Sequence, residues 1–328
     1  MRAKSDRVLA ITKEISADLG LSKDETATAE RAATLAKADL VTNMVVEMTS
    51  LQGTIGKFYA LRDGETPQVA QAIEEHYLPR KAGGKSPLSK AGLAIGIADR
   101  LDSMVGLFAV DMAPTGTKDP FGLRRAAIGL LQNLLQLSIG FDIKKGIQCA
   151  AEKQPVSVSS DHQQAVFEFI IGRLQSMLLD EGYRYDALNA VLAEQGNNPA
   201  GALRAVISLE QWSQKEVWGE ILPAFSRCVR ITRDLEQTYT VKPQTLVMDG
   251  SKKLLAAVEK AESALENDQS IDTFCVALKT LTPIINMFFD QVLVMDEDVD
   301  IKRNRLAVLQ RVSALASGLA DLSQMEGF

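Results

Sequence analysis

Apolar residues recur at i, i+3, i+4 and i+7 in one segment after another, and the period-2 alternation of half-buried strands is absent. The pattern predicts an all-α chain. One or two helices cover residues 24–58 with a break at Gly53, and another runs through "QVAQAIEEHY". A longer helix carries "GIADRLDSMVGLF", Gly96 to Phe108, with Ser86 and Pro87 as its N-cap and first position. Asp119 and Pro120 repeat that signal at the end of the loop "APTGTKDPFGL", ahead of a helix reaching about Leu137. Further helices are expected near 186–194, 199–216, 217–239 and 249–266, then through "IDTFCVALKTLTPIINMFFDQVLV" and "RNRLAVLQRVSALA". Pro283 should kink or divide the penultimate one. "MDEDVD" reads as an acidic turn and "LADLSQMEGF" as a tail.

The Pro- and Ser-rich stretch "EKQPVSVSSD" is the expected boundary. It divides the chain into a first domain over 1–151, a linker over 152–161 and a second domain over 162–328. A chain of 328 residues with 46% hydrophobic content has enough apolar material for two such cores. No run approaches the eighteen or so uninterrupted apolar residues of a membrane span, and the acids and lysines of "MRAKSDRVLAITKEISADLG" match neither a secretory nor a transit segment. Cys149, Cys228 and Cys275 are widely spaced with no C-x-x-C, so they are read as small buried hydrophobes in a reducing compartment. The net charge of -6 means that nucleic-acid binding would have to rest on local basic clusters.

Histidine content narrows the chemistry. The chain has only His76 and His162, which fall in different expected domains, with no H-x-x-x-H, no H-E-x-x-H and no glycine-rich phosphate loop of the Walker type. "RKAGGKSP" carries glycines and lysines but follows a helix, so it reads as an ordinary loop. On a helical wheel Ile97, Leu101, Met104, Val105 and Phe108 make the core stripe. Gly92, Gly96, Asp99, Ser103 and Gly106 lie opposite, with Asp102 beside them. A face of small residues lets a backbone or a ligand come close, so this helix should be packed on two sides with its carboxylates bonded inside.

"LAIGIADRLDSMVGL" resembles the last helix motif of HD-domain phosphohydrolases, including the alarmone hydrolases, where an "ADR"-type aspartate completes a metal site. That site also needs a histidine and a His-Asp pair, and no His-Asp dipeptide occurs here. Lys37-Ala38-Asp39 stands where the pair would be expected, and a lysine ammonium would repel a divalent ion. Asp39, Asp99 and Asp102 are therefore read as vestigial HD positions, with no metal and no catalytic residue in the chain.

A second resemblance covers about residues 25–328. "KADLVTNMVVEMTSLQGTIGKFYALRDGE", "YLPR", "IADRLDSMVGLFAV" and "PTGTKDPFGLRRAAIGLLQNLL" look like the bacterial-type glycyl-tRNA synthetase beta subunit, in the family's order and spacing. "FFDQVLVMDEDVDIKRNRLAVLQRV" is similar to the end of that subunit, and more loosely to the helical anticodon-binding domains of arginyl-type synthetases. "FSRCVRITRD" and the "DLSQMEGF" ending are most like cyanobacterial or plastid members. The family's subunit is longer than this chain, so the resemblance implies its C-terminal portion. It implies a degenerate HD-like helical bundle followed by a helical anticodon-binding domain. The implied partners are tRNA(Gly) and the separate alpha subunit, which uses ATP and magnesium for glycine activation; the chain itself would hold no cofactor. Neither DNA nor a membrane is implied, and the expected location is a bacterial cytoplasm, or a plastid if the source is a plant.

Three basic clusters are the candidate RNA contacts. Lys118, Arg124 and Arg125 flank a helix start, where the macrodipole disfavours cations; a phosphate or a neighbouring acid would compensate them equally well. Arg227, Arg230 and Arg233 recur every three residues on one helix face. The family has a basic residue followed by Asn-Ile there, whereas this chain has Arg230-Ile231, which departs from that pattern. Lys302, Arg303 and Arg305 follow the acidic turn, so an ion-pair network and RNA contact are both open readings. Trp212, Trp218, Phe225 and Tyr239 lie near the arginine stripe and are expected to be mostly core. Two other function classes remain for test: a metal-dependent HD phosphohydrolase, and a helical interaction scaffold without an RNA role.

Overall fold

The computed structural model describes residues 1–328 and contains no β-sheet. The chain forms two compact units, residues 1–177 with 197–201, and residues 178–196 with 202–328. The division falls inside a helix and not in the 152–161 linker, so His162 and His76 belong to the same unit. Proline and serine do mark a break at 153–159, but the helix that follows first packs on the first unit, where Phe169 meets Phe108 with ring centroids 5.4 Å apart.

The first unit contains α1 (Arg2–Ile15), α2 (Lys23–Leu35), α3 (Asn43–Glu47), α4 (Thr54–Arg62), α5 (Pro67–Glu75), α6 (Lys90–Phe108), α7 (Leu123–Gln136), α8 (Ile143–Glu152) and most of α9 (Ser160–Asp180). Helix α6 is its axis, packed against α1, α2, α5, α7 and α8. The predicted core stripe is buried, and so are Gly92, Gly96 and Asp102 on the other side. Close approach explains the glycines. A Cβ on Gly96 would lie 2.9 Å from the His76 carbonyl oxygen, and one on Gly92 would lie 2.6 Å from the Glu75 Cβ.

Local chemistry sets the helix starts. Ser22 and Glu25 form a capping box on α2, and Thr66 with Pro67 starts α5. The start of α6 lies later than the Ser86-Pro87 signal: Ser89 caps it, because Ser89 also donates from N and Oγ to the Glu75 carboxylate, at 2.9 and 2.6 Å. At α7 the carboxylate of Asp119 accepts from the Leu123 and Arg124 amides, while Gly122, at φ 69°, is the N-cap and Pro120 stays outside the helix. The 24–58 region is not one long helix. It breaks after α2 into short 3-10 turns and α3, since the Asp39 carboxylate gathers the amides of Gly53 (2.6 Å) and Gly56 (3.2 Å).

The second unit is built from α10 (Tyr185–Gln195), most of α11 (Pro199–Ser213), α12 (Trp218–Thr232), α13 (Asp249–Asn267), α14 (Ile271–Gln291) and α15 (Val299–Ala314). Helices α12 to α15 make its core, with Phe225 and Phe274 edge to face at 5.9 Å. Pro283 is absorbed inside a continuous α14, and Pro223 inside α12. Helix α14 alone is long and apolar enough to cross a membrane by composition, and half of its most apolar window is buried inside the unit. The C-terminal stretch is more than a tail, because Leu319, Leu322 and Met325 are buried and Leu322–Gln324 is a 3-10 turn against α10 and α12.

Candidate nucleic-acid interface

The acids of α6 meet a ring of cations. Lys37, at the end of α2, donates to Asp99 Oδ2 at 2.9 Å and to His76 Nε2 at 3.0 Å, with its ammonium 4.3 Å from the centroid of the Tyr77 ring. His76 Nδ1 lies 2.6 Å from the Ile73 carbonyl oxygen, which only a donor can face. The proton therefore sits on Nδ1, and Nε2 accepts from Lys37. Lys4 of α1 bridges Asp99 Oδ1 (3.1 Å) and Asp102 Oδ2 (2.9 Å), and Arg7 completes a bidentate pair with Asp102 at 2.6 and 3.1 Å. Arg100 turns the other way and donates to the carbonyls of His76, Gly96 and Leu78.

The charges follow from these contacts. Burial penalises the Asp99 carboxylate, but Lys37 and Lys4 outweigh it and hold Asp99 well below the usual carboxylate range. Asp102 is lowered in the same manner by Arg7 and Lys4. Burial is also the largest effect on Lys37, whose pKa falls despite Asp99. His76 is pushed well below its ordinary value, first by burial and then by the Lys37 charge, so it stays neutral.

This arrangement corrects one assignment and sharpens another. Asp39 does not stand with Asp99; its carboxylate is buried on the backbone amides of Gly53 and Gly56. Asp102 faces Lys4 and Arg7. What gathers at Asp99 is Lys37 and His76, three residues from three separate elements. The ammonium of Lys37 occupies the point where a carboxylate and an imidazole converge. That donor set does not fit a divalent ion, since one member is a cation and no three His, Cys, Asp or Glu side chains come together. Sequence reasoning missed the Lys37–His76 contact. Its only local trace was a lysine on the alanine-rich end of α2 and a single histidine ahead of "YLPR".

The cysteines differ slightly from expectation. Cys228 and Cys275 are buried, and burial raises both thiols to about 12. Cys149 is only half-buried; its Sγ donates to Glu14 at 3.1 Å, and burial with that acid brings it to about 12 as well.

The basic clusters separate into committed and exposed side chains. Arg124 donates to the Gly116 carbonyl at 2.5 Å and so holds its own loop, whereas Lys118 and Arg125 are exposed. In the second unit Arg227, Arg230 and Arg233 all lie exposed along α12 and its C-cap. Arg227 stacks over Phe289 at 4.1 Å, Arg230 donates to the main-chain oxygen of Phe328, and Arg233 makes only a loose pair with Asp234 at 3.7 Å. Arg305 takes the ion-pair alternative, donating to Leu293 O (2.6 Å) and Asp296 Oδ2 (2.7 Å). Arg303 is exposed beside the half-buried Tyr239, 5.9 Å from its ring centroid. Trp212, Trp218 and Phe225 are core.

Two amide side chains of α15 hold the 234–248 connection. Asn304 accepts from the Lys242 amide (2.7 Å) and donates to its carbonyl (2.9 Å) and to Thr245 Oγ1 (2.7 Å). Gln310 accepts from the Tyr239 amide at 2.9 Å and donates to the Gln237 carbonyl at 2.8 Å. Tyr239 is thus presented from a pinned segment beside Arg303 of α15, in the unit that carries the exposed arginines of α12.

Comparison with known proteins gives two family matches. The description "Glycyl-tRNA synthetase beta subunit" matches residues 1–193, and "DALR anticodon binding domain" matches residues 221–322. Glycine–tRNA ligase, chloroplastic/mitochondrial 2, of Arabidopsis thaliana is 35% identical over 330 residues, covering 100% of this chain and 31% of that protein. The glycine–tRNA ligase beta subunit of Moorella thermoacetica is 34% identical over 337 residues, 99% of this chain and 48% of the relative. That of Clostridioides difficile is 36% identical over 328 residues, at 98% and 47%. The likeness thus extends into α1, ahead of residue 25, and the chain spans about half the length of these bacterial relatives.

Proposed function

The chain belongs to the glycyl-tRNA synthetase beta-subunit family, and from that membership we propose that it is the tRNA-binding C-terminal portion of a glycine–tRNA ligase beta subunit. Its second unit holds tRNA(Gly) at the anticodon, and the aminoacyl transfer takes place on an alpha subunit that supplies the ATP and magnesium chemistry. The observation that carries the reading is a coincidence of position: the anticodon-binding match over 221–322 spans the helices that carry Arg227, Arg230, Arg233 and Arg303. Anticodon bases are unstacked, so they can be read by arginine planes and aromatic rings while other arginines hold phosphates. Arg303 with Tyr239, and Arg227 on Phe289, have that composition. Lys118 and Arg125 are proposed as further phosphate contacts, and Arg305 as a support for the α14–α15 turn. The first unit serves as a helical body of degenerate HD type. The relatives include bacterial subunits and a chloroplastic/mitochondrial enzyme; the reading accordingly assigns this chain to a bacterial cytoplasm or a plastid.

Gel-shift titration of the whole chain with tRNA(Gly) and an anticodon-substituted control tests the reading. Preference for the unsubstituted tRNA, weakened by Arg227→Gln or Arg303→Gln, is the expected result. Equal binding of both tRNAs, or none in low salt, overturns it.

A further inference from the structure

A cavity of about 550 Å³ opens in the first unit between the end of α5 and the start of α7. Its floor includes His76, Asp99 and Arg100, and its walls carry Ser50, Gln52, Tyr77, Arg80, Phe121 and Arg125. The volume suits a small ligand bearing one ring system and one charged group.

Charge and shape together select the ligand. Asp99 is the cavity's only carboxylate, and it is already matched by Lys37 and Lys4. Arg100 spends its donors on the carbonyls of His76, Gly96 and Leu78. Arg80 and Arg125 have no carboxylate partner. Arg80 donates only to the Gln52 carbonyl, at 2.6 Å, while Arg125 lies exposed against Gly122, where a Cβ would come within 2.8 Å of its guanidinium. Two unpaired guanidinium groups in one cavity repel each other, and their positions become favourable when an anion lies between them. Ser50 adds a hydroxyl. Phe121 is a large aromatic left 53% exposed in that wall. A bare ring beside two free arginines is the composition that binds a base and its phosphate.

We propose that this cavity is a nucleotide site, in which Arg80 and Arg125 take the phosphate and Phe121 stacks on the base. The shared chemistry is a phosphorylated nucleoside, whether free in solution or the terminal nucleotide of a single-stranded RNA. The site lies wholly in the first unit; it shares Arg125 with the tRNA phosphate contacts proposed above but no residue with anticodon reading by the second.

Isothermal titration calorimetry on the whole chain at low salt tests it, with adenosine monophosphate, adenosine, inorganic phosphate and a single-stranded RNA trinucleotide as probes. Adenosine monophosphate is expected to bind one site, and adenosine or phosphate alone about tenfold or more weaker. Arg125→Glu should weaken adenosine monophosphate at least about tenfold. Phe121→Ala should weaken it about tenfold and leave phosphate unchanged. Arg125 makes no bond in the fold, so an unaltered thermal melt separates a binding defect from misfolding, and Arg80→Gln repeats the test on the second arginine. A trinucleotide that displaces adenosine monophosphate with higher affinity assigns the site to an RNA end; failure to displace it assigns the site to a free nucleotide. Two results overturn the proposal: neither nucleotide probe binds, or Arg125→Glu binds both as the unaltered chain does. Because the anticodon-substituted tRNA reports on the second unit, either proposal can fail while the other stands.

Discussion

His76 should make the first unit lose stability below neutral pH. In the fold it is fully buried and neutral, accepting from the Lys37 ammonium with Asp99 on the far side of that cation and the Arg100 guanidinium on its own carbonyl. Burial and the Lys37 charge keep its pKa well below the ordinary value. In the unfolded chain the same ring titrates near pH 6.5. Above that pH neither state holds the proton, and the contribution of His76 to stability is fully present. Below it the unfolded chain takes up a proton that the native state refuses, so stability falls as the pH drops toward the native-state pKa. The slope approaches about 1.4 kcal/mol per pH unit, and up to about 2 kcal/mol is lost by pH 5.0. Urea unfolding followed by far-ultraviolet circular dichroism across this range measures it. Both tryptophans, Trp212 and Trp218, lie in the second unit, so their fluorescence isolates that unit's transition from the first. His76→Gln keeps an acceptor for Lys37 and removes the titration, so subtracting its profile cancels the carboxylates. Superimposable slopes for His76→Gln and the unaltered chain would refute the reasoning, as would a first-unit transition that does not move with pH.

Other outcomes follow from particular residues. Lys37→Met leaves Asp99 with Lys4 alone and should cost about 3 kcal/mol, the low end for breaking a buried pair, read in the same urea experiment. Gly96→Ala drives a methyl against the His76 carbonyl and should destabilise the first unit by about 2 kcal/mol. Gly172→Ala on α9 meets nothing within 4 Å and should stabilise by about 0.5–1 kcal/mol, so thermal melts of the two variants should move in opposite directions. Asn304→Ala removes three hydrogen bonds from the 234–248 connection and should lower stability by about 2 kcal/mol, with faster amide exchange at Lys242 and Thr245. For the α12 arginines, neutralising one phosphate-binding side chain, as in Arg227→Gln or Arg233→Gln, should reduce the slope of log affinity against log salt by about 0.7–0.9; unchanged slopes would remove them from the interface.

The sequence made α6 legible because its code is local: a buried stripe at helical spacing and an opposing row of glycines, all within nineteen residues. Helices with clean periodicity, such as α10, α13 and α14, were legible for the same reason. The breaks were harder. Asp39 ends the regular run after α2 by binding amides at Gly53 and Gly56, and nothing near Asp39 says where those partners lie. Ser86-Pro87 carries the local signal for a helix start, but Ser89 is held by Glu75 from another helix. Lys37, His76 and Asp99 show the limit most clearly, since each is unremarkable in its own segment and the triad exists only in three dimensions. On the arginines, spacing identified the exposed face of α12, yet gave no means to separate Arg303, which points outward, from Arg305, which holds a turn.

The Lys37 ammonium has a further consequence, for the conditions under which the first unit keeps its shape. A metal held by aspartate and histidine comes and goes with its free concentration, can be exchanged for a competing ion, and is stripped by chelators. A cation attached to the backbone has no such equilibrium. It is delivered in fixed stoichiometry by translation, arrives with the chain, and leaves only on unfolding. The charge beneath Asp99 and His76 is therefore set by the genetic code, and metal starvation or excess in the surrounding compartment should leave it unchanged.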